Sequence, residues 1–417
     1  MARIVLTSFG SYGDVYPYIG LALGLRARGH DPVLAMPPWY RQAAEREGLT
    51  FAGIRPDVDP SDRETMARIM DPANGTEFIV RELLLASLRE TFHDLREAAA
   101  GADLLVTHPI TFAGPIVAAH CRLRWLSSVL APMSFFSRHD LPVFPPLPWS
   151  KRLERVPGAA AALVWLARTV TSRWGEPVHA LRRELGLPRG GDPIYEGQHA
   201  PAGVLALFSP VLADPQPDWP ARVWMTGAIP YNGPAAGHTL SADLDSFLSA
   251  GPPPVVFTLG SSAVGAAGDF YHESVEAVRR LGVRGVLLVG RHAENRPPDL
   301  PDSVRAESFA PHAALFPRAA VVVHQGGIGT LHQGLRAGRP TLVVPHAHDQ
   351  PDNAFRLGRL GVSRTLLPRH YVAGRVTREL ETLLGGDYAT RAAEIAGRVR
   401  LEDGVTAACD AVERALS

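Results

Sequence analysis

His324, Gly326, Gly327, Gly329 and Thr330 fall in one short segment, HQGGIGT, between an apolar run and a helical pattern. Glycines there let a ligand approach the backbone, and the first turn of a helix presents unpaired N–H groups at the positive end of its dipole. An imidazole at the end of the preceding strand adds a further donor. This is chemistry for an anion, and for a diphosphate in particular. A glycine-rich turn by itself is also an ordinary strand-to-helix connection. The next such connection argues for a ligand: it reads HAHDQPDNA, His346 to Ala354, and brings Asp349, Gln350 and Asn353. Carboxylate and amide groups suit the hydroxyls of a sugar. One loop for phosphates beside one for hydroxyls describes a nucleotide-sugar pocket.

Positioning these groups requires a parallel sheet. Val321 to His324 reads as a buried strand, a helix opens at Thr330 and stops at Gly338, and Thr341 to Pro345 reads as the next strand. Ligands of open parallel sheets bind in the crevice outside the carboxyl ends of the strands. The same grammar starts the chain. Arg3 to Phe9 is a strand, GSYGDVYP turns it into a helix carrying Ile19, Leu23 and Leu25, and Pro32 to Met36 is the strand after it. Asp103–Thr107, Trp125–Leu130 and Val204–Phe208 supply later strands, with a helix near Thr111 to His120. Between them, Ala131 to Leu187 is broken by Pro142, Pro145, Pro146 and Pro148 and studded with Phe135, Phe136, Phe144, Trp149, Trp165 and Trp174. The proline-rich run from Pro210 to Pro234 reads as a linker. A second α/β series follows, with strands at Val255–Gly260, Gly285–Gly290 and Val304–Phe309 ahead of the two already named, and Arg391 to Leu416 is helical in pattern.

Composition narrows the function classes. At 417 residues the chain is long enough for two domains, each with its own core. The 42 basic and 42 acidic residues cancel, which gives no electrostatic case for nucleic acid. Lys151 is the single lysine, so no phosphate loop of the GxxxxGK type exists. Cys121 and Cys409 have neither disulfide-framework nor metal-ligand spacing. No apolar run reaches the roughly 20 residues of a membrane span, and no signal peptide is legible. A soluble cytoplasmic enzyme, monomeric or homodimeric, is the expectation.

HQGGIGT followed by PHAHDQPDNA resembles the donor signature of the family 1 glycosyltransferases, which use nucleotide sugars. Within that family it is most similar to bacterial natural-product enzymes and to the sterol glucosyltransferase branch, and the resemblance covers essentially the whole chain. It implies the GT-B fold: α/β, with two doubly wound Rossmann-like domains facing each other across a cleft. Residues 1–209 would bind the acceptor, 210–234 would link, 235–390 would bind the donor, and 391–417 would cross back as a helix onto the first domain.

By the same resemblance, His324, Gly326, Gly327, Gly329 and Thr330 hold the diphosphate, while Asp349 and Gln350 bond the sugar. Phe309 stacks on the base, with Ala310 supplying backbone contacts. Ser261, after the first strand of that domain, lies on a second phosphate-side loop. Read without the family, Phe309 is a core residue and Ser261 a helix cap. His332 stands where many plant members carry a glutamate for the ribose hydroxyls, and an imidazole cannot accept two hydroxyl donors as a carboxylate does. UDP-sugar is the first choice of donor and dTDP-sugar the second.

Where most of the family has the catalytic histidine of GHxxP, this chain has Gly13-Asp14-Val15-Tyr16-Pro17. Asp14 is the candidate base, with an N-cap as its alternative role. His108 falls where the supporting aspartate would sit, giving a dyad with its members exchanged; it is equally readable as a structural histidine. Phe135, Phe136 and Trp149 are candidate acceptor contacts. Asp57/Asp59 and Asp243/Asp245 lie outside the donor loops, and no metal or other cofactor is implied. The reading is an inverting transferase moving a hexose, glucose first, to a hydroxyl of a small lipophilic acceptor of polyketide, flavonoid, sterol or macrolide type. A nucleotide-sugar epimerase and a catalytically silent nucleotide-binding partner are the alternatives.

Overall fold

The computed structural model describes residues 1–59, 62–145, 147–233 and 239–417. Pro146, the end of the expected linker at Pro234 and the first residues of the expected donor domain, 235–238, lie outside them. The first sheet holds β1 (Arg3–Thr7), β2 (Asp31–Met36), β3 (Thr50–Gly53), β4 (Leu104–Thr107), β5 (Arg124–Val129), β6 (Val204–Ala206) and β7 (Val223–Met225). The second holds β8 (Val255–Thr258), β9 (Gly285–Leu288), β10 (Val304–Glu307), β11 (Val321–His324), β12 (Thr341–Val343) and β13 (Ser363–Thr365). Every pairing in both sheets is parallel. The central strands are runs of valine and leucine because helices cover both faces. This is an α/β molecule of GT-B architecture.

The strand orders are β3-β2-β1-β4-β5-β6-β7 and β10-β9-β8-β11-β12-β13. Each order reverses direction once, between β1 and β4 and between β8 and β11. Such a reversal opens a crevice at the carboxyl ends of the two central strands. Asp14 and His108 follow β1 and β4, and Gly260 and Gly326 follow β8 and β11. Both crevices therefore carry candidate residues.

Three strands depart from the sequence expectation. β3 and β13 were not anticipated, and β7 lies inside the stretch read as linker, where it forms the edge of the first sheet. The helical tail is two helices, Tyr388–Arg400 and Gly404–Leu416, with Asp403 capping the second through the Thr406 N–H at 3.0 Å. That last helix packs on the helix Tyr12–Ala27. Gly24 leaves room for Val405 and Cys409, and Arg28 pairs with Asp410 at 2.6 Å and Glu413 at 2.8 Å. No helix among the described residues is long and apolar enough to cross a membrane.

Candidate active site

The glycine-rich turn after β11 is held by its own backbone. His324 ends β11 fully buried, and its Nδ1 accepts the Gly326 N–H at 3.0 Å. The ring proton therefore sits on Nε2, which is buried and has no hydrogen-bond partner among the described residues. Burial pushes the imidazole down to about 3, so it stays a neutral donor. Gly326 has φ +91°, and a Cβ there would lie 2.8 Å from Val343 Cγ1 and 3.2 Å from the Gln350 carbonyl. Only glycine fits. Gly327 precedes the helix Ile328–Ala337 and provides no side-chain cap, which leaves that helix's first N–H groups open to an anion. The helix starts at Ile328, two residues before the expected Thr330, and this brings Gly329 and Thr330 into its first turn.

Gln325 ties this turn to the loop after β8. A Cβ on Gly260 (φ +64°) would come within 2.1 Å of the Gln325 amide nitrogen, and one on Gly327 within 2.7 Å. The Gln325 amide oxygen is buried and unpartnered among the described residues. Sequence reasoning passed over Gln325; glycines on both loops were the available signal. Ser261 is exposed, and no side chain caps the short helix after it. Phe309, read alternatively as core, is 68% exposed just after β10, and the next residue, Ala310, is buried. An exposed ring suits stacking on a base.

In the second loop the groups are partly engaged with one another. The Gln350 side-chain oxygen accepts the N–H groups of His346 at 2.8 Å and Ala347 at 3.2 Å. That oxygen shapes the loop. Asn353 donates to the Gly326 carbonyl at 2.9 Å and to Asp349 Oδ2 at 2.7 Å. Burial and the charge of Asp14 push the Asp349 carboxyl up to about 7. His332 does not face a ligand through Nε2, which accepts the Ser209 N–H at 3.1 Å. Its burial pushes it down to about 4.

On the other side of the cleft, Ser11 caps the helix Tyr12–Ala27, and Asp14 is the third helical residue of a capping box. Asp14 Oδ2 accepts from the Ser11 N–H at 2.7 Å and the Ser11 hydroxyl at 3.0 Å. The alternative role read for Asp14, an N-cap, therefore belongs to Ser11. Oδ1 remains, 3.6 Å from Nε2 of His108. His108 is 7% exposed and accepts the Ile110 N–H on Nδ1 at 3.4 Å, so its Nε2 proton faces the carboxylate. Gly10, at φ +128°, keeps the space that Asp14 occupies, since a Cβ there would lie 2.4 Å from Oδ2.

The two halves meet at glycine. A Cβ on Gly329 would lie 3.5 Å from the Gly13 Cα, so the N-termini of two helices, one from each sheet, come together there. Asp14 is next to that contact, and so is the diphosphate turn.

The expected acceptor aromatics separate. Phe135 is buried and stacked on Trp219 with centroids 4.0 Å apart, so it belongs to the core and not to an open pocket. Phe136 is half-buried, edge-on to Tyr195 at 4.8 Å. Trp149 is 48% exposed. The loop between Phe136 and Trp149 is fastened to the donor side. Buried Arg356 bonds Asp140 and Asp352, each at 2.6 Å, and Asp352 also accepts the Val143 N–H at 3.0 Å. Lys151 bonds Asp140 and Glu154 beside them. None of this network was foreseen. Asp243 and Asp245 pair with Arg305 and Arg318 outside the donor loops.

Comparison with known proteins agrees with this fold. Residues 275–408 match the family model described as erythromycin biosynthesis protein CIII-like, C-terminal domain. The chain is 31% identical to O-mycaminosyltylonolide 6-deoxyallosyltransferase of Streptomyces fradiae, over 99% of this chain and 97% of that protein. The crystal structure of the glycotransferase of kitacinnamycin superposes with a TM-score of 0.76 at 21% identity, covering 100% of this chain and 99% of that one. The spinosyn rhamnosyltransferase SpnG complexed with thymidine diphosphate superposes with a TM-score of 0.68 at 22% identity, covering 99% and 100%.

Proposed function

The chain belongs to the family 1 glycosyltransferases, and we propose that it moves a 6-deoxyhexose from a thymidine diphosphate donor to a hydroxyl of a large lipophilic natural product, with inversion and with Asp14 as base. The observation that carries this reading is the Gly13–Gly329 approach, which brings the helix that carries Asp14 against an uncapped helix N-terminus. In the reaction the acceptor O–H gives its proton to Asp14 Oδ1 as the oxygen bonds the anomeric carbon. The bond from that carbon to the diphosphate oxygen breaks on the opposite face, and its electron pair leaves on the diphosphate. The first N–H groups of the helix Ile328–Ala337 and the His324 Nε2–H neutralise that charge without reorganising. We read residues 1–209 as the acceptor side, 210–234 as the connection, 235–390 as the donor side and 391–417 as the return.

The donor preference moves away from the UDP-glucose favoured on sequence. With its Nε2 engaged by Ser209, His332 offers no accepting atom there to a ribose 2′-hydroxyl. One similar enzyme is named a 6-deoxyallosyltransferase, and one similar structure holds thymidine diphosphate. The acceptor class rests on such relatives and on the exposed aromatic loop around Trp149.

The test is a matrix of UDP-glucose, dTDP-glucose and a dTDP-6-deoxyhexose against a panel of polyketide and macrolide alcohols, reading product mass and released nucleotide together. A deoxyhexose adduct lost in Asp14→Asn supports the reading. Transfer from UDP-glucose alone overturns the donor assignment.

A further inference from the structure

Four of the twelve large apolar side chains that stand exposed among the described residues fall within one short stretch, Val156 to Val170. The helix Ala159–Thr171 carries three of them, Trp165, Leu166 and Val170, at 67%, 51% and 65% exposure. At about 3.6 residues per turn, these three share one side of the helix with Ala161, Ala162 and Thr169, and all six are exposed. Arg168 is the helix's single charged residue, and it is engaged elsewhere: it pairs with Glu196 and sits 4.8 Å from the Tyr195 ring centroid. The flanks are basic. Between Lys151 and Trp174, Lys151, Arg152, Arg155, Arg168 and Arg173 stand against Glu154 alone, in a chain whose 42 basic and 42 acidic residues cancel. Lys151 is taken by Asp140 and by Glu154. That leaves Arg152 and Arg155 ahead of the helix and Arg173 just after it, all exposed and without an ion pair among the described residues.

We propose that this helix is a docking surface for an anionic lipid bilayer. It lies in the plane of the interface, with Trp165, Leu166 and Val170 in the acyl boundary and Arg152, Arg155 and Arg173 among the headgroups. A helix of 13 residues is about 20 Å long, short of a hydrocarbon core of about 30 Å, so it can rest on a membrane and cannot cross one. An apolar face bearing tryptophan and flanked by arginine is the composition of helices that lie at such interfaces. Charge argues against a second copy of the chain as the occupant. A two-fold contact sets a surface against itself and would bring two sets of unpaired arginines together. An anionic lipid surface neutralises them instead. The surface uses neither Asp14 nor the donor turn and does not depend on the transfer proposed above. If that transfer holds, docking keeps the enzyme where a lipophilic acceptor partitions.

The experiment is co-sedimentation of the full-length protein with vesicles of phosphatidylcholine mixed with phosphatidylglycerol, and with vesicles of phosphatidylcholine alone. Binding to the mixed vesicles is expected, weakened by salt and much weaker on the neutral ones. Trp165→Ser together with Leu166→Ser should lower partition roughly tenfold or more, the scale of large side chains withdrawn from an apolar phase. Arg152→Ala, Arg155→Ala and Arg173→Ala should each lower it about fivefold. Leu401→Ser, at an exposed apolar residue outside this stretch, should leave it unchanged. All these side chains are exposed, so the melting temperature should hold throughout. Equal binding to both kinds of vesicle, binding that survives the paired serine change, or an equal loss in Leu401→Ser overturns the proposal. Absence of binding to either kind overturns it too; a dimer in sedimentation that the paired serine change separates would then assign the face to a second copy. None of these readouts depends on transfer activity.

Discussion

The donor side and the acceptor side of the cleft are built from different materials. The donor turn is mostly backbone: Gly326 at φ +91°, Gly327 ahead of an uncapped helix, and His324 locked by the N–H two residues on. The acceptor side is side chain against side chain, with Asp14 and His108 brought together from the ends of β1 and β4 at 3.6 Å. A site made of backbone is contiguous in sequence and tolerates few residue types. One made of side chains on separate loops depends on packing that no single segment encodes. On the proposed function, the first kind would bind what donors share, and the second could vary with the acceptor.

That contrast can be tested by removing one group from each side. Asp14→Asn should cost the most, about 10²–10⁴ in kcat as expected for a general base, with the Kd of the nucleotide unaltered; a weakened Kd would mean the carboxylate belongs to the donor side after all. His324→Ala removes a hydrogen bond to a charged group, about 1.5–3 kcal/mol, and should weaken nucleotide diphosphate binding in calorimetry. Binding of the nucleoside monophosphate should change less, and equal losses for both would remove the ring from the distal phosphate. Phe309→Ala should weaken nucleotide binding by about 1–3 kcal/mol if the ring stacks on the base, with the melting temperature preserved. A fall in melting temperature at unchanged affinity would return Phe309 to the core.

The smallest effect expected is on stability in acid, and it too divides the halves. His324 is held down to about 3, and His312, His332 and His346 to about 4, all in the second half; in the first, His199 is held to about 4. Below the ordinary histidine value near 6.5, the unfolded chain binds protons that these folded sites refuse. Stability present at neutral pH is therefore lost as pH falls from about 6.5 toward 4. Scanning calorimetry between pH 7 and 5 should show the donor half losing more of its melting temperature. Equal losses in both halves would contradict the asymmetry.

The central strands were legible because burial on both faces leaves runs such as VVFT and VVVH. β3, β7 and β13 were not, being short edge or near-edge strands with half-exposed residues such as Phe51 and Arg364. The glycine turn after β11 was legible, though its helix starts two residues earlier than expected, since glycine at a left-handed position and the order of strand, turn and helix are sequence signals. Finer detail was not legible where a partner decides what a side chain touches. Nothing near Gln350 says that its oxygen will accept two N–H groups of its own loop. Nothing near Phe135 says that Trp219 will cover it. The cap, offered as the alternative role of Asp14, belongs to Ser11 because the box is reciprocal and both residues carry an oxygen acceptor.

The buried Arg356, shared between Asp352 on its own helix and Asp140 on the loop before Trp149, couples two regions of the chain. A loop that drifts toward a new acceptor can change Trp149 or Phe136 freely, but it must keep a carboxylate at position 140 or leave a guanidinium interior to the protein short of a counter-charge. Chimaeras that exchange acceptor loops between relatives should therefore be cut outside residues 140–154 and matched at position 356. Arg356 and Asp140 act as one physical unit across the cleft.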